Sequence, residues 1–210
     1  MTTQTLRNTT IFKDPSFVKS LFGNPAWAWL WLIARLYVGY TWLTSGWGKF
    51  GNPAWMETGT ALKGFWERAV LVPEAPARPA IAFDWYRTFI QALLDGGQYV
   101  WFAKLITFGE LLIGAALILG VFTGIAAFFG GFMNWNFMMA GTASINPVLF
   151  TLSVLLVLAW KTAGWWGLDR WFLPLLGTPW QPGKLFGEAS TPSKQKCGCG
   201  EVCACSTAVA

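Results

Sequence analysis

The chain has no histidine among its 210 residues. That absence removes histidine-ligated haem, imidazole metal sites and His-based triads. Proton transfer near neutral pH is left to a carboxylate or lysine with a displaced pKa. Charge is also scarce: Asp, Glu, Lys and Arg make up 12% of the residues, about half the roughly 25% of a soluble domain. The net charge of +5 comes from scattered basic residues, not from the clustered patch that nucleic acid requires. Cysteine is missing until residue 197, and all four cysteines fall within 197–205. A cleavable signal peptide is not expected either, because MTTQTLRNTTIFKDPSFVKSLFG is polar for too long before any apolar core. The first membrane helix is expected to act as an uncleaved insertion signal.

What is present is apolar and aromatic. Hydrophobic residues make up 54% of the chain, and there are 15 tryptophans. Tryptophan favours the membrane–water interface, where its ring is buried and its N–H stays wet. A bilayer crossing needs about 20 mostly apolar residues. Four stretches approach that pattern: residues 25–47, 98–120, 122–140 and 147–162. Pro25 suits a first helical turn, VFTG turns the second span tightly into the third, and Asn146–Pro147 marks the next turn. The expected fold is therefore an all-α integral membrane protein, a four-transmembrane-helix bundle.

The connection 50–97 is too polar to span. Trp55, Leu62, Phe65, Trp66 and Ala69 recur at near-helical spacing, and so do Phe83, Tyr86, Ile90 and Leu93. The proline-rich VPEAPARPA separates the two sets. Two short amphipathic helices are expected, lying on the membrane surface or capping the bundle. Lys and Arg concentrate near both ends of the chain, whereas the loop balances its basic residues with Glu and Asp. By the positive-inside rule the loop is expected to be extracytoplasmic and both termini cytoplasmic; the plasma membrane of a prokaryote is the expected location. The division is then a cytoplasmic segment 1–24, a membrane domain 25–172 and a cytoplasmic tail 173–210.

Two charges lie inside spans: Arg35 in the first and Glu110 in the second. A charge at bilayer depth costs roughly 2.5–3.5 kcal/mol even on the lenient scale, so it needs a partner, a cavity or a function. At about 1.5 Å per residue, each lies about 15 Å from its expected cytoplasmic helix end, so the two are expected to pair. Arg35, Gly39, Trp42 and Gly46 share one helix face, and Ala103, Thr107, Glu110 and Gly114 share another. Small residues on such faces allow close approach. Thr41, Thr44, Ser45, Lys104, Asn134, Asn136 and Ser153 lie nearer the outer side. Facing inward, they would form a polar pocket above the pair. The alternative is that the pair is helix glue, that the hydroxyls and amides bond neighbouring backbone, and that Lys104 snorkels to the surface.

These same residues carry a family likeness. ARLYVGYTWLTSGWGKF, GELLIGAALILGVFTGIAAFFGG and AGWWGLDRWF resemble the DoxX/DoxD family, over most of 27–172. Extension of the loop by PAWMETGTALKGFW makes the chain more similar to the DoxD branch, which supplies membrane subunits of thiosulfate:quinone oxidoreductase. The resemblance implies thiosulfate oxidation to tetrathionate coupled to quinone reduction. Arg35, Lys49, Glu110 and Asp169 are the charged positions of the pattern. The expected site is a quinone pocket near the outer side lined by Trp42, Lys104 and Asn134, in which Lys104 supplies positive charge for the sulfur anion and Glu110, beside Arg35 beneath the pocket, relays protons. No residue within the bundle is an evident electron carrier, so a second subunit is expected.

The tail KQKCGCGEVCACSTAVA follows a low-complexity linker. Cys197, Cys199, Cys203 and Cys205, spaced C-x-C-x3-C-x-C, suit Zn²⁺ or Cu⁺ better than disulfides in a cytoplasmic tail. A reduced, unstructured tail is the competing expectation. The chain as a whole reads either as the oxidoreductase subunit or as a non-catalytic accessory subunit of a larger respiratory or photosynthetic complex. Lipid, a larger membrane complex and a second copy of the chain are the partners these readings admit.

Overall fold

The computed structural model describes residues 15–178 and 181–185. Among these residues the structure is all-helical except for one two-residue antiparallel pairing. In chain order the helices are α1 (Ser16–Gly23), α2 (Ala28–Phe50), α3 (Pro53–Met56), α4 (Thr60–Val70) and α5 (Asp84–Asp95), then α6 (Tyr99–Leu119), α7 (Thr123–Met139), α8 (Asn146–Leu158), α9 (Trp160–Ala163) and α10 (Asp169–Leu176). A 3₁₀ turn, Pro25–Trp27, precedes α2.

Asn-Pro dipeptides open three of the helical segments. Asn24 and Asn52 each accept a bond from the backbone N–H two residues on, with proline at the first helical position. Asn146–Pro147 starts α8. The proline lacks an N–H that would be unpaired there anyway, and at Asn24 and Asn52 the asparagine side chain satisfies the next one. Helix α6 stops at Gly120, whose φ of +68° is a left-handed cap that glycine adopts freely.

Helices α2 and α6 run antiparallel in intimate contact. A β-carbon on Gly114 would lie 2.5 Å from the Leu43 nitrogen, and one on Gly46 would lie 2.9 Å from the Leu111 nitrogen. Gly39 approaches Leu117 and Ile118 as closely, at 3.0 Å. Small residues therefore set this seam, as the sequence faces predicted. Helices α7 and α8 form a second close pair, with Gly131 against Ser153. The buried core of the four long helices centres on Trp31, Val38, Trp42, Leu117, Ala127, Leu149 and Leu156. A separate core holds the loop: Leu62, Trp66 and Ala69 of α4 and Tyr86 and Ile90 of α5 pack on Ala103 and Ala140. The expected amphipathic helices are thus present.

Helix α6, with 21 residues and a mean hydropathy of 1.9, is long and apolar enough to cross a membrane. Four such helices were expected. Helix α2 is longer, at 23 residues, but its tryptophans, tyrosines, Arg35 and Lys49 hold its mean hydropathy down. Helices α7 and α8 are shorter, at 17 and 13 residues.

The chain divides into two compact units, Met1–Arg170 and Trp171–Ala210. In the second, Gly177–Thr178 pairs with Gln181–Pro182, and Lys184 and Leu185 donate backbone bonds to Pro174 and Leu175. The four cysteines, read above as a metal site, lie outside the described residues. Among the described residues no group of acidic or cysteine side chains gathers as a metal site.

Candidate functional site

The predicted Arg35–Glu110 pair does not form. Glu110, 1% exposed, accepts instead from Lys49 at 2.7 Å. Lys49 also donates to the Ser45 hydroxyl at 2.7 Å and lies 5.2 Å from the Trp55 ring centre. The expectation failed on register. It assumed that α2 and α6 end level with each other. Gly120, the end of α6, is instead level with Arg35, and Glu110 is level with Gly46. The eleven residues from Arg35 to Gly46 place the two charges about 16 Å apart along the bundle.

Arg35 has its own partners. Its Nη1 donates to the Ala163 carbonyl and its Nη2 to the Trp166 carbonyl, both at 3.2 Å. Nη1 rests against Gly120 and Gly167, where any side chain would collide with it. Beside it, Asp169 accepts from the Phe122 nitrogen at 2.6 Å and from the Thr123 nitrogen at 2.8 Å. The Asp169 and Leu168 nitrogens donate back to the carbonyls of Gly120 and Leu119. Asp169 thus caps α7 from 46 residues away. It satisfies donors that an isolated helix start leaves open, and its charge also acts on Arg35. Gly164 lets the carboxylate in, since a β-carbon there would sit 2.6 Å from Oδ2. The stretch AGWWGLDR is therefore a clasp that closes the α6–α7 turn over Arg35.

The four charges of the sequence pattern sort into two groups at opposite ends of the α2–α6 seam: Lys49 with Glu110, and Arg35 with Asp169. Sequence reasoning named all four residues but paired Arg35 with Glu110 and gave Lys49 and Asp169 no partner.

The predicted pocket of Trp42, Lys104 and Asn134 does not assemble either. Lys104 is exposed on α6, whereas Trp42 and Asn134 are buried, at 3% and 0% exposure. The hydroxyls of Thr41 and Thr44 bond the carbonyls of Tyr37 and Tyr40, one turn back. Of the expected polar cluster, Asn134 and Ser153 do face inward.

The cavity lies elsewhere, in a groove between α6 and α7 with a volume of about 680 Å³. Ile106, Gly109 and Ile113 form one wall, and Phe129, Met133 and Phe137 the other. Trp66, Tyr86 and Phe89 of the loop helices close one end, and Val121 and Phe122 mark the other. The walls are almost wholly apolar. The polar group is at the loop end, where the Tyr86 hydroxyl donates to the Asn136 carbonyl oxygen at 3.1 Å or to its Oδ1 at 3.2 Å. Burial pushes the Tyr86 phenol up to about 12. The signal for the groove was in the sequence: Phe122, Phe129, Phe132 and Phe137 give α7 a bulky stripe opposite its glycine face. Only the glycine face had been read.

No family model, curated protein or solved structure matches the chain.

Proposed function

We propose that this chain is a four-span membrane protein of the DoxX/DoxD type, and that its α6–α7 groove holds a prenylquinone for a sulfur-anion:quinone oxidoreductase. The observation that carries the reading is the groove itself. Its volume of about 680 Å³ falls within the roughly 300–1,000 Å³ of small-molecule sites, which are mostly apolar with a few placed polar groups. It extends over nearly the whole of α6, from Phe102 to Ala116, and on to Val121. That suits a linear prenyl chain better than a compact ligand. The Tyr86–Asn136 pair supplies hydrogen-bonding groups at the end nearest the loop, where a quinone head group would lie. A bound quinone supplies a two-electron, two-proton acceptor. Overall, two thiosulfate anions each lose one electron and couple through a sulfur–sulfur bond, while the quinone takes up both electrons and two protons. Electrons reach the groove through a second subunit.

Membrane insertion has separate support. Ile33, Tyr40, Leu105, Leu112, Ile125, Phe128 and Leu158 are all exposed, on four helices. Large apolar side chains exposed on every long helix are unusual for a soluble monomer, whose exposed hydrophobic residues are mostly scattered singly. Both termini are then cytoplasmic and the loop is outside, in the plasma membrane of a prokaryote.

One observation favours the accessory-subunit reading. Glu110, Arg35 and Asp169 are each engaged by groups of the protein itself, and no charged residue lines the groove. The two readings separate on extraction. Protein purified in mild detergent should release about one quinone per chain into organic solvent, and its native complex should reduce a short-chain quinone when given thiosulfate. Release of phospholipid alone, with no turnover, would favour the accessory role.

A further inference from the structure

We propose that Trp42, Asn134 and Ser153 enclose a buried water site between α2, α7 and α8, distinct from the groove. Four polar atoms of these side chains are buried without a partner: Trp42 Nε1, both Asn134 amide atoms and Ser153 Oγ. The residues are at most 3% exposed. They converge on one stretch of α7. A β-carbon on Gly130 would lie 3.0 Å from Trp42 Nε1, and one on Gly131 would lie 3.3 Å from the Ser153 β-carbon. Asn134 follows these glycines by one helical turn. The two glycines hold open the space that larger residues would fill.

Arg35 Nε, Arg87 Nε and Thr123 Oγ1 are also buried without a partner, but each stands apart, and most hydroxyls and carboxamides on the long helices are paired. Thr41, Thr44, Thr107 and Thr151 each turn their hydroxyl onto the carbonyl four residues back. The carboxamides of Asn136 and Asn146 do the same. Ser153 and Asn134 have equivalent carbonyls at Leu149 and Gly130 and leave them. Trp42 cannot turn away, because its ring stacks on Phe137 and rests against Gly130. An indole donor, an amide that both donates and accepts, and a hydroxyl together suit a molecule that also donates and accepts and carries no charge. Water meets that description and needs two to four polar partners in a small polar space. The neighbours Val38, Leu117, Ala127 and Leu156 are buried and apolar, so the site is closed along the bundle.

X-ray radiolysis footprinting of the intact protein in detergent tests the assignment, because ionising a bound water makes hydroxyl radical in place, beside side chains that bulk solvent does not reach. Trp31 is the internal control, equally buried at 4% but with its N–H bonded to the Leu21 carbonyl. Trp42 should be oxidised several-fold faster than Trp31, and Ser153→Ala or Asn134→Leu should remove most of the excess. Equal oxidation of Trp42 and Trp31 in the wild-type protein would overturn the proposal whether or not the variants fold. So would a small organic molecule that copurifies with the wild-type protein and is lost from Ser153→Ala.

Discussion

Helix α6 meets its two neighbours in opposite ways. Against α2 it presents Gly114, α2 answers with Gly39 and Gly46, and the backbones nearly touch. Against α7 it presents Ile106, Ile113 and Gly109 to a stripe of phenylalanines, and a groove of about 680 Å³ opens. The same helix thus builds a closed seam on one side and a cavity on the other. The difference comes from side-chain size on the facing helix. In a bilayer, where lipid is as apolar as leucine, helices associate by packing and polar contacts more than by expulsion of water. A glycine face lets the backbones close. A face carrying Phe129 and Phe132 holds them apart and leaves room for a ligand. The charges follow the same division: Lys49, Glu110 and Arg35 lie along the seam, and none lines the groove.

The two sides should respond oppositely to small substitutions. Gly114→Leu drives its side chain into the Leu43 backbone, which cannot retreat. The expected loss is about 3 kcal/mol or more, seen as aggregation or a large fall in Tm in detergent. Gly109→Ala faces the groove, where the nearest atom is the Met133 sulfur at 3.5 Å. It should leave stability unchanged or raise it by up to about 1 kcal/mol through helix propensity. Equal damage from both substitutions would erase the distinction between seam and groove.

Within the seam, Lys49→Met leaves Glu110 buried without its cation. About 3 kcal/mol of stability should be lost, measured by thermal unfolding. Lys49→Met combined with Glu110→Leu should recover most of it. A double variant no more stable than Lys49→Met alone would mean that Lys49 and Glu110 do not act as a pair. At the other end, Asp169→Ala removes the cap from α7 and should cost about 2 kcal/mol. Hydrogen exchange should rise at the Phe122 and Thr123 amides before anywhere else in α7. Protection unchanged there would show that the clasp is not what caps the helix.

The smallest effect concerns the loop end of the groove. The Tyr86 phenol is raised from an ordinary 10.0 to about 12. Burial keeps it neutral in the folded protein while the unfolded chain ionises it. Its contribution is therefore complete below pH 10 and is lost as pH rises from 10 toward 12. Tyr86→Phe should flatten that part of the stability profile. An identical alkaline slope in the variant would assign the slope to another group.

Much of this layout was legible in the chain. Arg35 and Glu110 stood out because charge is rare in apolar runs, and the alternation of Leu62, Trp66 and Ala69 gave α4 its buried face. Register was not legible. Which residue of α2 lies level with Glu110 depends on where each helix ends in space, and that in turn depends on Gly120 and on a clasp 46 residues downstream. The groove was missed for a related reason. A stripe of phenylalanines on a membrane helix reads as lipid-facing, and only its position opposite α6 makes it a cavity wall. The tail cysteines lie beyond the described residues, so the reading of them stays as the sequence left it.

The central claim is that the α6–α7 groove is a quinone site, and photoaffinity labelling tests it most directly. A prenylquinone bearing a photoreactive group should label peptides of α5, α6 and α7, near Phe89, Gly109 and Met133. Excess unmodified quinone should suppress that labelling. Labelling spread over exposed apolar residues away from the groove, Ile33, Phe128 and Leu158, and undiminished by competing quinone, would contradict the account.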